Sequence, residues 1–360
     1  MKILKHNPQV SAGQRKYSIP YNGDLDLVRW AVKTGHVYEV YFAGGAGHDL
    51  STVASRDSVY SSNEIEKLVA FCSAQGIGRN LLINKSVLYF ENVKRLLAYI
   101  RSLERAGGVT AVTVADQRIV PYLSRAFPEV EIQASVFMHI DSALKAREAW
   151  RNGIKSLCLD VSLNRNIPEL ERIRELKRYY KELRVKLLVN HGCYCNCVHS
   201  GRHEDWLVFR DLMKRQGRKG RHALGALFDS EPCAFRRTSW VDEIKRPFIR
   251  PEDVCFYENN GLADHFKIAY RNDSSEELRV KLSAYFLRSF DGDIFRLAPS
   301  NYRDDAEFIC SNKDIPKNFV TMTGRCGYAC ETCHYCDEVA TRAFKPNLSG
   351  HQRRRKDNIA

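Results

Sequence analysis

The stretch Ser156-Leu-Cys-Leu-Asp-Val161, the helical-period segment 168–182 and the run Val185-Lys-Leu-Leu-Val-Asn190 form one strand–helix–strand repeat. Short runs of apolar and β-branched residues are typical of strands that are buried on both faces. A helical segment between two such runs indicates that the strands pair in parallel through a crossover helix. The same alternation continues along most of the chain, so the sequence predicts a series of consecutive βα units.

Eight predicted units fall between residues 37 and 290, and this length is typical of a (β/α)8 TIM-like barrel. The predicted strands are Val37–Ala43, Asn80–Asn84, Thr110–Ala115, Glu131–Phe137, Ser156–Val161, Val185–Asn190, Pro247–Arg250 and Phe266–Tyr270. The predicted helices lie near residues 62–75, 91–106, 118–126, 141–152, 168–182, 204–215, 252–260 and 275–289. The competing fold is an open doubly wound sheet. Its phosphate-binding glycine turn has no full match, because Ala43-Gly-Gly-Ala-Gly47 lacks the spacing and the downstream acidic residue.

The segments on either side of the predicted α/β barrel differ from it in character. Residues 1–36 are predicted to form an N-terminal extension whose short helix, at Asp24–Thr34, covers the bottom of the barrel. Residues 291–340 form a cysteine-rich C-terminal appendage. Residues 341–360 contain the basic run His351-Gln-Arg-Arg-Arg-Lys356 and are predicted to be a disordered tail.

The composition of the 360-residue chain indicates a globular protein. Hydrophobic residues make up 44% of the chain, and no apolar run approaches the length of about 18 residues that a membrane helix needs. The N-terminus lacks the apolar core and cleavage site of a signal peptide, so we expect a cytoplasmic protein without a membrane partner. Lysine and arginine number 56 against 43 acidic residues, for a formal net charge of +13. This excess favours an anionic partner, either a small molecule or RNA.

Three cysteines, Cys193, Cys195 and Cys197, directly follow the sixth predicted strand. In a (β/α)8 barrel this is the C-terminal face, where active sites lie. Clustered cysteines in a reducing compartment are usually metal ligands or catalysts. With Cys233 the three can supply four thiolates to one metal centre, and their polar neighbours disfavour the alternative of thiols that only pack in a core. His191 adjoins the first cysteine and is a candidate acid or base near neutral pH.

A second group of cysteines, Cys326, Cys330, Cys333 and Cys336, has gaps of three, two and two residues. Such compact spacing lets neighbouring thiolates turn toward one point and is typical of metal ligands. We predict an iron–sulfur cluster here, as a second metal centre, with a four-thiolate zinc site as the alternative. The first three cysteines also match the radical-SAM spacing. That triad ordinarily follows the first barrel strand, whereas this one lies after the predicted barrel.

Polar residues also stand at or after the ends of the predicted strands, where the side chains of a barrel converge on one pocket. They are Asn84, Lys85, Asp116, His139, Asp160, His191, Arg250, Lys267 and Arg271. The residues predicted to be catalytic are His191, Lys267 and Arg271. The residues predicted to bind substrate are Asn84, Asp116, Asp160 and Arg250. Several cations beside a metal centre would suit a carboxylate or phosphate group, although an ordinary ion pair explains each of them individually.

The stretch Lys214-Arg-Gln-Gly-Arg-Lys-Gly-Arg221 holds five basic residues in eight. It could contact RNA phosphates, and a solvated loop explains it at least as well. It has no interleaved aromatic residues, so bases would have no platform on which to stack. A serine–histidine–acid order and a nucleophile-serine motif are both missing from the sequence, so a conventional hydrolytic triad has no support.

The chain resembles a known family at several points. Gly192-Cys193 after the sixth strand, Phe248-Ile-Arg-Pro-Glu-Asp253, Phe266-Lys-Ile-Ala-Tyr-Arg271 and Tyr285 with Asp291-Gly292 are similar to the collagenase-like peptidase U32 family, over about residues 18–340. Members are labelled peptidases, but better-understood relatives resemble iron–sulfur proteins that hydroxylate tRNA, ribosomal RNA or the ubiquinone ring without oxygen. The resemblance therefore implies an enzyme with a [4Fe–4S] cluster.

The same resemblance implies that Cys193, Cys197 and Cys233 ligate this cluster. The nearest candidate for the fourth ligand is Cys195, with Cys255 or a cysteine of the C-terminal segment as alternatives. The family strand commonly reads Lys-Ile-Glu-Gly-Arg, whereas this chain has Ala-Tyr in place of Glu-Gly, so a carboxylate role in the relatives is not carried over. The C-terminal cysteine run is absent from many members and suggests a branch with a second centre, for which electron delivery is one use.

These observations together predict an iron–sulfur enzyme that carries out redox chemistry or oxygen-independent hydroxylation of an anionic small molecule or RNA. An electron-donor protein or a partner subunit is expected to supply electrons. The alternatives are a metal-dependent peptidase, in which a zinc ion would activate water, and a non-catalytic iron–sulfur electron carrier.

Overall fold

The structure is a computed structural model that describes residues 15–45, 60–85, 90–195, 197–201, 240–299 and 308–347. Within these residues, eight parallel strands close into a barrel in their order along the chain. The strands are β1 (Tyr17–Pro20), β2 (Val37–Phe42), β3 (Gly78–Ile83), β4 (Ala111–Val114), β5 (Glu131–Ala134), β6 (Ser156–Cys158), β7 (Arg184–Leu188) and β8 (His265–Lys267). Because β8 pairs with β1, the barrel has no free edge. The predicted (β/α)8 barrel is confirmed.

Helices follow the strands on the outside of the barrel. They are α1 (Leu25–Lys33), α2 (Ser62–Ala74), α3 (Phe90–Ser102), α4 (Val120–Ala126), α5 (Ala143–Arg151), α6 (Ile167–Leu176), α7 (Trp240–Ile244), α8 (Val254–Asn259) and α9 (Ser275–Leu287). The apolar residues of the strands and of the inward helix faces form a continuous core. In the part of the chain that the structure describes, no helix has the length and apolar character needed to cross a membrane.

The predicted strand series is wrong at two places. The barrel begins at β1, where the sequence predicts an N-terminal extension. This strand is hard to recognise in the sequence because it has only four residues and ends in a proline, which cannot donate to a ladder. Conversely, Pro247–Arg250 forms no barrel strand. It runs extended, with the Ile249 N–H donating to the Val189 carbonyl over 2.8 Å, and no further ladder follows. Phe248 and Ile249 are both buried, and this accounts for the apolar pattern of the segment.

The helix predicted to cover the bottom of the barrel is α1, and it lies instead among the outer helices. It connects β1 to β2 and packs against α9, the last helix of the barrel. The Asp24 carboxylate caps its start by accepting the N–H groups of Asp26 and Leu27 at 2.8 and 3.0 Å. The error follows from the missed strand, since without β1 this helix precedes the first strand.

A buried polar layer crosses the interior of the barrel. The Glu39 carboxylate on β2 pairs with the Lys186 ammonium on β7, and both side chains are almost fully buried. Gln133 on β5 joins them, because its oxygen accepts from Lys186 at 2.7 Å and its amide donates to Glu39 at 3.0 Å. Burial by itself would raise the pKa of Glu39. The charge and hydrogen bond of Lys186 outweigh burial and lower this pKa to about 2.

The cysteine-rich C-terminal segment packs against the barrel as a small second core. Its elements are β9 (Phe308–Cys310), α10 (Phe319–Gly324), α11 (Tyr335–Ala343) and β10 (Phe344–Pro346). β9 and β10 pair antiparallel. Apolar side chains of these elements cluster with Ile244 of α7 and with Phe248. This burial accounts for the apolar character that makes 247–250 look like a strand in the sequence.

Two buried guanidinium groups attach this segment to the barrel. Arg165, in the turn after β6, donates to the Arg246 carbonyl at 2.9 and 3.2 Å and to the hydroxyl of Thr323 in α10. Arg246 in turn donates to the carbonyls of Ala298 and Pro299 at 2.9 and 2.6 Å. The barrel and the C-terminal segment therefore share hydrogen bonds that are buried or partly buried.

We predict that Lys186→Met destabilises the protein by about 3–5 kcal/mol at pH 7, because it leaves a charged Glu39 buried without its cation. Urea unfolding measures the change in the free energy of unfolding. The matched control is Lys155→Met, which breaks an exposed pair with Glu182 and should cost less than about 1 kcal/mol. Equal losses in the two variants would contradict the role of the buried pair.

The buried pair also has a pH dependence of defined sign. Because the pKa of Glu39 is lowered, the stabilisation by Lys186 is fully present above the ordinary pKa of 4.5 and fades as the pH falls toward 2. The difference in unfolding free energy between wild type and Lys186→Met should therefore narrow over that interval. A difference that stays constant down to the lower limit would argue against the assignment.

Candidate functional site

The loop that follows β7 is held at the C-terminal end of the barrel by Asn190, which is fully buried. Its side-chain oxygen accepts the N–H of Ala269, just after β8, at 2.7 Å. Its side-chain amide donates to the carbonyl of Leu297 at 3.0 Å. One side chain thus ties the end of β7 to the end of β8 and to the chain that leads into the C-terminal segment.

Gly192 lies in a narrow space between Tyr270 and Pro299. A β-carbon on Gly192 would stand 2.8 Å from the Tyr270 hydroxyl and 2.9 Å from the Pro299 carbonyl oxygen, so a larger residue would force a shift. Tyr270 itself has a φ of 74°, in the left-handed region that non-glycine residues rarely adopt. The family motif has glycine at this position, which fits that backbone. Here a tyrosine keeps the strained conformation, and the motif comparison alone gives no sign of its contact with Gly192.

The structure divides the three cysteines of this loop between two cavities. Cys193 and Cys197 line a cavity of about 290 Å³ at the end of the barrel, the barrel-mouth cavity. Cys195 lines a second cavity of about 820 Å³ beside the C-terminal segment, the C-terminal cavity. The other thiols of the C-terminal cavity belong to Cys326, Cys330, Cys333 and Cys336. Tyr194 lines both cavities and separates them.

Two histidines line the barrel-mouth cavity, and hydrogen bonds fix their roles. His139 Nδ1 lies 2.8 Å from the Asp160 carboxylate, so it carries the proton and leaves Nε2 as an acceptor. His191 Nδ1 accepts the Cys193 N–H at 3.2 Å, so the neutral ring carries its proton on Nε2. Burial raises the pKa of Asp160, but hydrogen bonds from His139 and Ser162 outweigh it and hold that pKa below its ordinary value. The cavity therefore contains one proton acceptor and one proton donor.

Two of the predicted substrate ligands, Asp116 and Arg250, are engaged in local ion pairs and line neither cavity. Asp116 accepts hydrogen bonds from the Arg118 guanidinium at 2.6 and 2.9 Å. Arg250 is buried and donates to the Asp253 carboxylate at 2.7 and 2.8 Å. It also donates to the Ile315 carbonyl at 3.1 Å, so it helps to attach the C-terminal segment.

Of the predicted catalytic cations at the end of β8, Arg271 is buried and Lys267 is partly buried. Lys267 Nζ lies 4.3 Å from the centre of the Tyr41 ring, and burial lowers the pKa of both cations. Neither lines the barrel-mouth cavity, whose described lining contains two carboxylates and no lysine or arginine. Asn84 and Lys85, after β3, also line neither cavity. Among the described residues, the structure thus gathers His139, Asp160, His191, Cys193 and Cys197, and not the predicted cations.

The C-terminal cavity combines thiols with cations. Cys326, Cys330 and Cys333 are exposed, whereas Cys195 and Cys336 are partly buried. Arg165 and Lys245 line the same cavity. Burial raises the pKa of Cys195 and of Cys336, and the charge of Arg165 opposes that rise in both. This cavity therefore places positive charge where thiolates would need it.

Within the described residues, no three histidine, cysteine or carboxylate side chains are close enough together to hold a single metal ion. A four-iron cluster separates its cysteine sulfurs more widely than one ion does, because four irons and four sulfides lie between them. Thiolates are suitable ligands for such a cluster and for zinc. The shared cavity of Cys193 and Cys197 and the larger cavity with five thiols both fit this donor chemistry.

Some predicted features lie outside the described residues. They are Cys233, the helix near 204–215, the basic stretch Lys214–Arg221 and the basic run His351–Lys356. They stay predictions. The alternative fourth ligand Cys255 is described, lies in α8 and lines neither cavity. Its sulfur accepts a hydrogen bond from Arg288 at 2.9 Å.

Comparisons with known proteins agree with the fold. A family model described as Peptidase family U32 matches residues 23–221. An uncharacterized protease of Methanocaldococcus jannaschii is 24% identical over 296 residues, which cover 81% of this chain and 85% of that protein. The solved structure of the U32 peptidase Mk0906 has a TM-score of 0.50 at 17% identity and covers 73% of this chain and 97% of its own. At that identity the structural likeness shows a shared fold and nothing finer.

We predict that Gly192→Ala destabilises the protein by about 1–3 kcal/mol, because the added methyl group overlaps the Tyr270 hydroxyl and the Pro299 carbonyl. Urea unfolding measures the loss. The matched control is Gly201→Ala, since a β-carbon there meets nothing within 4 Å and should cause no loss. Adding Tyr270→Phe to Gly192→Ala should recover part of the stability, and no recovery would refute the contact with the hydroxyl.

Proposed function

The chain belongs to peptidase family U32, and we propose that it is an iron–sulfur enzyme. Cysteines and two hydrogen-bonded histidines line one cavity at the mouth of its barrel. The proposed chemistry is a redox reaction or an oxygen-independent hydroxylation in the cytoplasm, on an anionic small molecule or RNA. The observation that carries the proposal is that Cys193 and Cys197 line the same cavity as His139 and His191. This is the end of the barrel where enzymes of the fold bind their substrates.

A [4Fe–4S] cluster at the barrel mouth would be held by Cys193 and Cys197, with Cys233 as the third ligand that the family resemblance implies. Such a cluster supplies one-electron chemistry. The protein residues around it handle protons. With Nδ1 held by Asp160, His139 can take a proton from the substrate on Nε2, and His191 can donate one from its own Nε2. The ionised Asp160 stabilises the imidazolium form of His139.

The two substrate classes would use different cations. For a small anionic substrate, the sequence assigns recognition to Lys267 and Arg271, which lie at the end of β8 and outside the lining of the barrel-mouth cavity. RNA would instead contact the basic stretch Lys214–Arg221 through its phosphates, and such contacts carry no base specificity. The substrate class is therefore tested by the cations whose replacement lowers binding.

The second candidate function is a metal-dependent peptidase. The family name and the name of the curated relative favour it. In that case a zinc ion held by the barrel-mouth thiols would activate a water molecule. The third candidate, a non-catalytic electron carrier, does not need a proton acceptor and a proton donor beside its thiols. The histidine arrangement favours an enzyme over a carrier.

We predict that protein purified without oxygen contains iron and acid-labile sulfide in equal amounts and no zinc, with the broad visible absorption of iron–thiolate bonds. Cys193→Ser/Cys197→Ser should lose iron, since it removes two barrel-mouth ligands. The matched control is Cys72→Ala, which alters a thiol buried in α2 and should keep the full metal content. Zinc without iron, together with cleavage of casein by the purified protein, would reject the proposal in favour of the peptidase.

We predict that replacing Arg215, Arg218 and Lys219 by glutamine weakens binding of RNA oligonucleotides about equally across sequences, with a shallower salt dependence. Fluorescence anisotropy at several salt concentrations measures both effects. The control replaces three exposed cations elsewhere, namely Lys155, Arg172 and Arg178. An equal loss in the control variant would show that the basic stretch has no special part in RNA binding.

A further inference from the structure

The three cysteines of the loop after β7 are so close in sequence that their spacing does not show which metal centre each would bind. The structure places them in two different cavities. We propose that Cys195 is a ligand of a second metal centre, held in the C-terminal cavity together with cysteines of the C-terminal segment. Cys193 and Cys197 remain with the barrel mouth. The inference rests on the proposed function in one respect, which is that the metal is taken to be an iron–sulfur cluster.

The position of the Cys195 thiol carries the inference. Its sulfur lies 3.8 Å from the Tyr328 hydroxyl, within hydrogen-bonding distance for sulfur. Tyr328 stands between Cys326 and Cys330 in the sequence, so the Cys195 side chain reaches the turn that carries the predicted ligands. Tyr328 has a φ of 58°, and this left-handed residue bends the chain between the two cysteines. Cys195 therefore lines the same cavity as all four cysteines of the C-terminal group.

Tyr194 keeps the neighbouring cysteines apart. Its side chain is buried, and its hydroxyl donates to the Glu243 carboxylate at 2.5 Å. Glu243 is itself fully buried and pairs with Arg246 at 2.9 Å. The Tyr194 side chain, between Cys193 and Cys195, is thus anchored by a hydrogen bond to a buried ion pair.

The charge around the C-terminal cavity suits an anionic cluster. Four thiolates and four sulfides outweigh the positive charge of the irons, so a [4Fe–4S] group with cysteine ligands carries net negative charge. Arg165, Lys245 and Arg325 line the cavity and supply compensating positive charge. Asp242 is the one carboxylate in the described lining of this cavity.

The cavity offers five thiols, whereas a four-iron cluster takes four ligands. One cysteine of the C-terminal group is therefore left without a bond to the cluster. Cys193 and Cys195 are two residues apart, so their α-carbons are at most about 7 Å apart. The segment Cys193-Tyr194-Cys195 then supplies a ligand to each of two neighbouring centres.

The test places Cys195→Ser in two backgrounds that each remove one centre. Cys193→Ser/Cys197→Ser removes the barrel-mouth ligands, and Cys330→Ser/Cys333→Ser removes C-terminal ligands. Iron, sulfide and zinc are measured per chain after anaerobic purification. Adding Cys195→Ser to the first background should lower the remaining iron. Adding it to the second background should leave the remaining iron unchanged.

Each outcome decides a separate point. Loss of iron only in the Cys330→Ser/Cys333→Ser background would assign Cys195 to the barrel mouth and overturn the inference, as would no loss in either background. The expected pattern with zinc in place of iron would keep the assignment of Cys195 and reject the proposed iron–sulfur function. Metal-free wild-type protein would overturn both.

A second measurement guards against misfolding of the double variants. Cys330→Ser/Cys333→Ser changes two exposed side chains and leaves three thiols in the C-terminal cavity, too few for a four-iron cluster. Iodoacetamide labelling of this variant is read by mass spectrometry for each cysteine. We expect Cys195 to become labelled while Cys193 and Cys197 stay protected. Cys72 is buried in the core and reports an intact fold as long as it stays unlabelled. Protection of Cys195 together with Cys193 and Cys197 would overturn the inference.

Discussion

Arg165 and Arg246 hold the two halves of the candidate site together. Both guanidinium groups are buried, and their hydrogen bonds end on carbonyls of residue 246 and of residues 298 and 299. A buried cation without acceptors is very costly, so the C-terminal segment cannot leave the barrel without a large loss of free energy. Cysteines that are more than 130 residues apart, Cys195 and Cys326, meet in one cavity because this attachment exists.

The barrel was predictable because its strands are buried on both faces, and such strands show as apolar runs between helical segments. The exceptions have physical causes. β1 has only four residues and ends in Pro20, so it leaves little pattern in the sequence. Pro247–Arg250 has the apolar pattern of a strand, yet Phe248 is buried against the C-terminal segment. Hydrophobicity reports burial, and it does not report which element provides the cover.

The candidate site was predictable in composition but not in arrangement. The two groups of cysteines stand out by spacing, and His191 by its place beside Cys193. Spacing within one loop does not tell which side of the loop a thiol faces, and this is decided by Tyr194, whose partner Glu243 is far along the chain. The ion-pair partner of Arg250 was easier to predict from the sequence, since Asp253 lies only three residues further on.

Tyr270 restricts how the molecule can move. Its hydroxyl and the Pro299 carbonyl enclose Gly192, so the cysteine loop is wedged between the last strand and the chain that enters the C-terminal segment. To swing away, that segment would have to break the hydrogen bond between Asn190 and Leu297 and the bonds of Arg246 to Ala298 and Pro299. The cysteine loop therefore joins the barrel to the segment at this point. The barrel-mouth cavity, with His139 and His191 in its lining, thus has one wall made by a loop that both parts of the molecule hold in place.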